Sequence, residues 1–379
     1  MKRTTVGTVA ALVGLVAVMV LPAQGATPKT KLVSVHSNGT QGDSGSYNPS
    51  VSANGRFVAF RSEASNLVGG DSNDSNDSDD VFVHDRKTKM TERVSVHSNG
   101  TEGDGDSYTP AISANGRFVA FESSSTNLVG DDGNHRTDVF VHDRETKKTR
   151  RVSVHSNGTE ANSDSLTPAI SANGRFVAFL SFASNLVGDD GTNDIADVFV
   201  HDRETKKTRR VSVHSNGTEG DGHSYTPAIS ANGRFVAFES RATNLVGVDG
   251  NNIYDVFVHD RKTKKTRRVS VRSNGTEGNG YSYDPSISAS GRFIAFESSA
   301  TNLVGDDGNN AYDVFVHDRE TKKTKRVSVH SNGSGGDDDS EDPSISASGR
   351  FVAFYSDATN VVGGDDNDAS DVFMRGPLR

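Results

Sequence analysis

The phrase Ser113-Ala-Asn-Gly-Arg-Phe-Val-Ala-Phe121 occurs six times with small changes, starting at Ser52, Ser113, Ser171, Ser230, Ser288 and Ser346. The spacings are 61, 58, 59, 58 and 58 residues. A second phrase, Asp138-Val-Phe-Val-His-Asp143, keeps step with it from Asp80, Asp138, Asp197, Asp255, Asp313 and Asp371. A unit of this length cannot bury a core by itself, so six of them must stack on one another. That constraint outranks chain length, since 379 residues would otherwise suggest two ordinary domains.

Each unit reads as four short strands. In the second, Thr109–Ser113 is strand a, Asn115-Gly116 a two-residue hairpin turn, and Arg117–Glu122 strand b. A long loop follows, then strand c over Asp138–His142 and strand d over Arg150–His155. The strands are rich in Val and Phe and bounded by Gly, Asn and Asp, as antiparallel strands are. A low hydrophobic content of 32 % and 38 glycines suit many short strands and turns. Units begin near Pro49, Pro110, Pro168, Pro227, Pro285 and Pro343. A residue without an N–H belongs on an edge strand, here the innermost one beside a central channel. The expected fold is all-β: a six-bladed β-propeller of four-stranded antiparallel blades. The sixth unit ends after strand c, while Leu32-Val-Ser-Val-His36 is an orphan strand d. The count is equal only if that N-terminal strand joins the last blade and closes the ring.

Residues 1–26 read as an export signal. Lys2 and Arg3 precede an apolar run from Thr8 to Leu21, and Ala23-Gln24-Gly25 is a cleavage-type site. The run is near the short limit for spanning a bilayer. The expectation is a cleaved signal, a propeller over 27–379, a bacterial cell-envelope or extracellular location, and no stable membrane insertion. A net charge of −9 argues against nucleic-acid binding. The absence of cysteine excludes disulfides, thiolate metal sites, thiol catalysis and a lipoprotein anchor.

The phrase Pro-x-Ile-Ser-Ala-Asn-Gly-Arg-Phe-Val-Ala-Phe, followed by Asp-Val-Phe-Val-His-Asp, resembles the TolB-type, WD40-like propeller repeat over about residues 31–375. Departures are Ala for Pro and Asn or Ser for Asp in the turn, and a longer b–c loop. The resemblance implies a propeller outside the cytoplasmic membrane, usually a binding or scaffold module, and fixes no ligand.

In a propeller the d–a and b–c loops share one face and the a–b and c–d turns the other. The first carries Thr101–Asp106 and Gly130–Asp132 and reads acidic; the second carries Arg117 and Arg144–Arg151 and reads basic. The b–c loops repeat an Asp/Asn pattern of the kind that suits calcium. Its residues are Asp74, Asn76 and Asp80; Asp132, Asn134 and Asp138; Asp249, Asn251 and Asp255. Blades five and six add Asp307, Asn309 and Asp313, and Asp365, Asn367 and Asp371. Asx turns and a cap on strand c explain the same residues without a metal.

Other motifs read as structure. Gly42-Asp-Ser44-Gly45 imitates a serine nucleophile but is one variant of a repeated loop. Asn38-Gly-Thr40 and its equivalents match a glycosylation pattern and equally an Asn-Gly turn. Ten of twelve histidines follow the repeat and read as packing; His135 and His223 do not, and with Arg136 and Arg241 they are where an asymmetric site would lie. The sequence therefore points to a non-catalytic monomer with a protein or glycan ligand on its acidic face. A polysaccharide hydrolase or lyase with its site over the channel is the alternative.

Overall fold

A computed structural model describes residues 30–69, 78–130, 132–188, 195–247, 249–305, 307–364 and 369–378. The propeller is the unit Val33–Arg379. Blade two shows the plan: strand a Ser107–Ile112, b Phe118–Ser123, c Asp138–Asp143 and d Lys148–Arg151, all antiparallel in the order a-b-c-d. Blades one, three, four and five repeat it. The six-bladed propeller expected from the repeat is the fold found, with no helix among the described residues. Residues 1–26, expected to be an export signal, lie outside those residues.

Strand a carries a bulge between Tyr108 and Ala111, with Thr109 at φ 49°. Pro110 falls inside this break, where no ladder donor is required. Strand d lies earlier than expected. Lys147, at φ 56°, donates to the Asp143 carbonyl and closes a tight turn, so pairing with strand c starts at Lys148. It ends after Arg151 because the Ser153 hydroxyl accepts the Val139 N–H (3.1 Å) in place of a backbone carbonyl. The chain then leaves the sheet, and Val154 pairs with Glu160.

The apolar core lies between blades. Ala59, Val81 and Val83 of blade one pack against Val119, Phe121 and Phe140 of blade two, and the pattern recurs around the molecule. Three polar contacts recur at each junction from blade one to blade five, and the first of them also joins blade five to blade six. The Ala114 N–H donates to the Ala172 carbonyl at 3.0 Å, with four equivalents from Ala53 to Ala347. The Thr149 hydroxyl of blade two donates to the Val96 carbonyl on the chain leaving blade one. The Arg144 guanidinium lies 4.4 Å from the ring centre of Phe57 in blade one.

The blades form a ring, and in the sixth the described residues give one strand fewer than the strand count predicts. Its sheet has three strands, Ser340–Ile345, Val352–Ser356 and Asp371–Arg375. Since strand d ends at the position of Arg151, the N-terminal copy of strand d is Lys29-Thr-Lys-Leu32 rather than Leu32–His36. Thr30–Leu32 form no strand, and Lys29 lies outside the described residues. Val35 pairs instead with Gln41, and its carbonyl accepts the Thr91 hydroxyl of blade one. Among the described residues, neither the Ala–Ala bond nor the Arg–Phe contact links blade six to blade one; of the three recurring contacts only the Thr91–Val35 bond is made at this junction, by the N-terminal segment. Val51 on one side of this junction is 61 % exposed, and Val372 and Met374 on the other are 81 % and 71 % exposed.

Candidate functional site

The b–c loops were the residues expected to hold calcium. Asp74, Asn76, Asp365 and Asn367 lie outside the described residues. In blade two, Asp132 and Asp138 do come together, and Glu160 joins them, each offering an oxygen within 4.8 Å of the others. Asp249, Asp255 and Glu277 repeat the group in blade four. The asparagines contribute differently from the expectation. Asn134 spends its carbonyl on the Arg136 N–H (2.6 Å) and points its amide at the Ala161 carbonyl (2.6 Å). Asn251 and Asn309 do the same with Ile253 and Gly278, and with Ala311 and Gly336.

A guanidinium stands among these carboxylates. Arg151 was read as part of the basic face, but its side chain is 5 % exposed and points to the opposite end of the blade. It lies 3.3 Å from Asp138 and 3.8 Å from Asp132, and it pairs with Glu160. Arg93, Arg210, Arg268 and Arg326 take the same place. Asp80, Asp138, Asp255 and Asp313 also accept a serine hydroxyl at 2.5 Å. Burial pushes the Asp138 and Asp255 carboxyls up to about 7, against the lowering by their arginines. Asp307 rises to about 6 by burial and by the neighbouring Asp313. Asp371 pairs with Ser356 in the three-stranded sheet.

The turn face is less basic than its sequence. Arg117 grips Asp143 with two bonds of 2.8 and 2.7 Å, and four other blades repeat the fork. That fork holds Asp202 down at about 2 against its burial. The recurring histidines pack as expected. His142 Nδ1 meets the Thr149 hydroxyl at 2.9 Å, and burial lowers its pKa to about 4. His155 accepts the Asn157 N–H, and Asn157 in turn accepts that of Thr159. The Asn-Gly-Thr sequences are therefore Asx turns.

The two unique histidines also take structural positions. His223 Nδ1 accepts the Ala196 N–H (3.0 Å), as the Asp164 carboxylate accepts that of Thr137 (3.0 Å) one blade earlier. His135 holds the left-handed position, φ 52°, that Asn252 and Asn310 hold in blades four and five. Ser44 bonds Glu63 and has no histidine beside it among the described residues.

Superposing the blades by their repeat exposes what a search for stray histidines missed. Among the positions that vary from blade to blade, four lie where strands a line the channel on the loop face. The second residue of strand a is Tyr47, Tyr108, Leu166, Tyr225, Tyr283 or Glu341. The fifth of strand b is Arg61, Glu122, Leu180, Glu239, Glu297 or Tyr355. The residue before strand c is Tyr254 and Tyr312 in blades four and five, and the one before strand a is Tyr281 in blade five. These residues gather. Tyr225, Tyr254, Tyr283 and Tyr312 follow one another with ring centres 6.1, 5.4 and 6.3 Å apart. His223 stacks on Tyr225 at 5.6 Å and Tyr281 on Tyr283 at 5.8 Å.

Carboxylates border this belt. Asp284, Glu297 and Asp342 place oxygens within 4.8 Å of one another, and Glu341 accepts the Tyr355 hydroxyl (2.6 Å) beside them. Glu239 and Glu297 each accept a backbone N–H of the next blade at 2.9 Å, from Asp284 and Asp342. Burial raises Glu297 to about 8, Glu239 to about 7 and Asp284 to about 6, and neighbouring carboxylates add to the rise of all three.

The fold defines a six-bladed propeller, with an asymmetric channel mouth on a symmetric frame. No protein-family model matches the chain, and no curated protein does. Solved structures with a similar fold include the propeller domain of the Trilobed protease from Pyrococcus furiosus. It is 11 % identical, with a TM-score of 0.54 over 87 % of this chain and 82 % of that one. An oligogalacturonate lyase in complex with manganese is 10 % identical, with a TM-score of 0.51 over 88 % of this chain and 78 % of the other. TolB from Acinetobacter baumannii is 14 % identical, with a TM-score of 0.43 over 79 % of this chain; the match spans 60 % of that TolB. Identities this low establish the fold alone.

Proposed function

We propose that the protein is an exported, non-catalytic binding module whose ligand, a protein or a glycan, engages the channel mouth. One observation carries this reading: tyrosines and carboxylates that depart from the sixfold repeat gather in contact with one another at the mouth. Rings with polar groups beside them are what recognition surfaces use. The test is capture of envelope proteins and glycans by the wild type and by Tyr254→Ala/Tyr312→Ala. Support requires a ligand that the wild type retains unchanged and the variant loses. A ligand held equally by both places the site elsewhere.

A second reading rests on the protonated carboxyls. Glu297, at about 8, beside Asp284, at about 6, is the kind of acid and base pairing that polysaccharide cleavage uses. Incubation with neutral and acidic polysaccharides, with and without manganese, tests it through new chain ends. Their absence in every case removes the enzyme.

Calcium is the secondary element of the proposal. Asp132, Asp138 and Glu160 offer three hard oxygens, and neither Asp132 oxygen has a hydrogen-bond partner among the described residues. An ion there would share the carboxylates with Arg151. A calcium-selective rise in melting midpoint, lost in Asp132→Asn/Asp249→Asn, supports it. Equal midpoints in calcium and in chelator remove it.

A further inference from the structure

We propose that the tyrosine and carboxylate wall of blades four to six binds an arginine- or lysine-rich peptide segment of a partner protein. This rests on the reading that the channel mouth is the ligand site, and it names the ligand's chemistry.

The protein already shows what such a wall accepts. In blades one and two, the Arg61 guanidinium lies 4.8 Å from the ring centre of Tyr47 and 5.2 Å from that of Tyr108. It also pairs with Asp79 at 3.3 Å. A cation, two aromatic faces and a carboxylate are thus assembled from one chain. Cation–π attraction and an ion pair reinforce each other in such a half-buried place.

Across the ring the same strand-a position is again tyrosine, at Tyr225 and Tyr283, but the strand-b position is Glu239 and Glu297 instead of arginine. The wall there has four successive tyrosines and the carboxylates of Asp284, Glu297, Glu341 and Asp342. Its polar bonds are internal: the Tyr355 hydroxyl to Glu341 and the Asp342 N–H to Glu297. Among the described residues no lysine or arginine lies over these four rings or pairs with these four carboxylates. Arg241 is the cation on this side, facing His223 and Tyr254 at the blade-four end. The uncompensated end is therefore Tyr283, Tyr281 and Tyr312 with the carboxylates of Asp284, Glu341 and Asp342, the buried Glu297 carboxyl adding no charge. Tyr281 is 43 % exposed there, so the wall is open to a partner.

Charge complementarity selects the occupant. A neutral sugar would stack on the rings without needing the crowded carboxylates of Asp284, Glu341 and Asp342. A bare divalent ion would use the carboxylates and leave the rings without a role. A guanidinium or ammonium on a flexible stem uses both, as Arg61 does.

The experiment is fluorescence-polarisation binding of labelled octa-arginine to the full chain at about 150 mM salt, where long-range attraction is screened. Octa-glutamate, maltohexaose competition and calcium titration run beside it. We expect octa-arginine to bind and Glu341→Gln/Asp342→Asn to weaken it about tenfold. Tyr281→Ala, which removes a ring and no charge, should weaken it as well. Asp43→Asn/Asp104→Asn removes the same charge from the same face at blades one and two, and should change binding less than about twofold. Melting curves of the variants confirm that each is folded. Equal binding by the wild type and Glu341→Gln/Asp342→Asn overturns the proposal, as does no binding at this salt. Variant-sensitive binding of maltohexaose alone overturns it too, while leaving the channel mouth as the ligand site. Variant-sensitive binding of calcium alone overturns it in favour of a metal site.

Discussion

Phe57 of blade one is held between two parts of blade two. The Arg144 guanidinium covers one side, and Gly116 lies against the other. Gly116 has φ +76°, and a Cβ built on it stands 2.1 Å from Phe57 Cδ2. Replacing Gly116 by Ala should therefore incur two costs. The left-handed backbone costs an L-residue roughly 1–2 kcal/mol. Forcing the ring out of a packed junction costs roughly 1–3 kcal/mol more. Gly55 is the same residue of blade one, at φ +67°, yet its nearest atom would be Arg86 Nη1 at 3.5 Å. Gly55→Ala should carry only the backbone cost. At about 2.1 cal/mol/K per residue over roughly 350 residues, 1 kcal/mol moves a cooperative midpoint by about 1.4 °C. The expected losses are about 3–7 °C for Gly116→Ala and about 1–3 °C for Gly55→Ala. Far-ultraviolet circular dichroism and tyrosine fluorescence serve as probes, since the chain has no tryptophan. Urea midpoints should keep the same order. Equal losses would refute the reasoning: they would mean that Phe351, the counterpart of Phe57, reaches Gly55 and that blade six seats on blade one as the other blades seat on their neighbours.

Three further outcomes are expected. Arg151→Met leaves Asp132, Asp138 and Glu160 without their cation and should cost about 3–5 kcal/mol in urea denaturation; Arg150→Ala, exposed on the same strand, should stay within about 0.5 kcal/mol. Glu297 has a folded pKa of about 8, above the unfolded value of 4.5, so its contribution is fully present below 4.5 and is lost as pH rises to 8. Glu297→Gln should accordingly raise the melting midpoint at about pH 8 relative to the wild type and change it little at about pH 5, read by calorimetry. His142, His201, His259 and His317 are held near 4 against an ordinary 6.5, so their contribution is complete above 6.5 and is lost as pH falls to 4. His142→Gln should lower the proton uptake on unfolding at about pH 5.5, measured in buffers of different ionisation enthalpy.

The sequence carried the blade count, because a period of 58 or so residues with turn chemistry at fixed offsets leaves little else to fold into. It misplaced strand d by two residues because Val152, Ser153 and Val154 alternate like a strand. Only the Ser153 hydroxyl taking the Val139 N–H ends the ladder, and a side chain replacing a backbone acceptor leaves no mark on hydrophobic periodicity. The b–c loops were found, but not the direction of Asn134, whose amide rather than carbonyl faces the carboxylates. Arg151 looked basic and superficial, being next to Arg150. Strand alternation puts neighbours on opposite sides, and Arg151 is the one that turns inward. Glu160 was passed over as part of an exit turn 22 residues beyond Asp138, so no local pattern joins them. The tyrosine belt was legible in principle. Writing the six units in columns shows tyrosine, glutamate and leucine alternating at two positions of otherwise constant strands.

The bond from the Ala114 N–H to the Ala172 carbonyl, and its four equivalents, runs in one direction around the molecule. Each of blades two to five therefore gives a donor to its successor and an acceptor to its predecessor, and Phe57, Gly116 and Arg144 divide their junction in the same way. Any of these four blades is a fitting neighbour for any other of them. A unit of 58 residues could be duplicated, lost or moved by recombination without leaving a mismatched joint. The frame is thus indifferent to the order of its parts, whereas the channel mouth is not, because a shuffled chain would keep its stability and scatter its tyrosines. The order of the blades is written in the ligand site rather than in the fold.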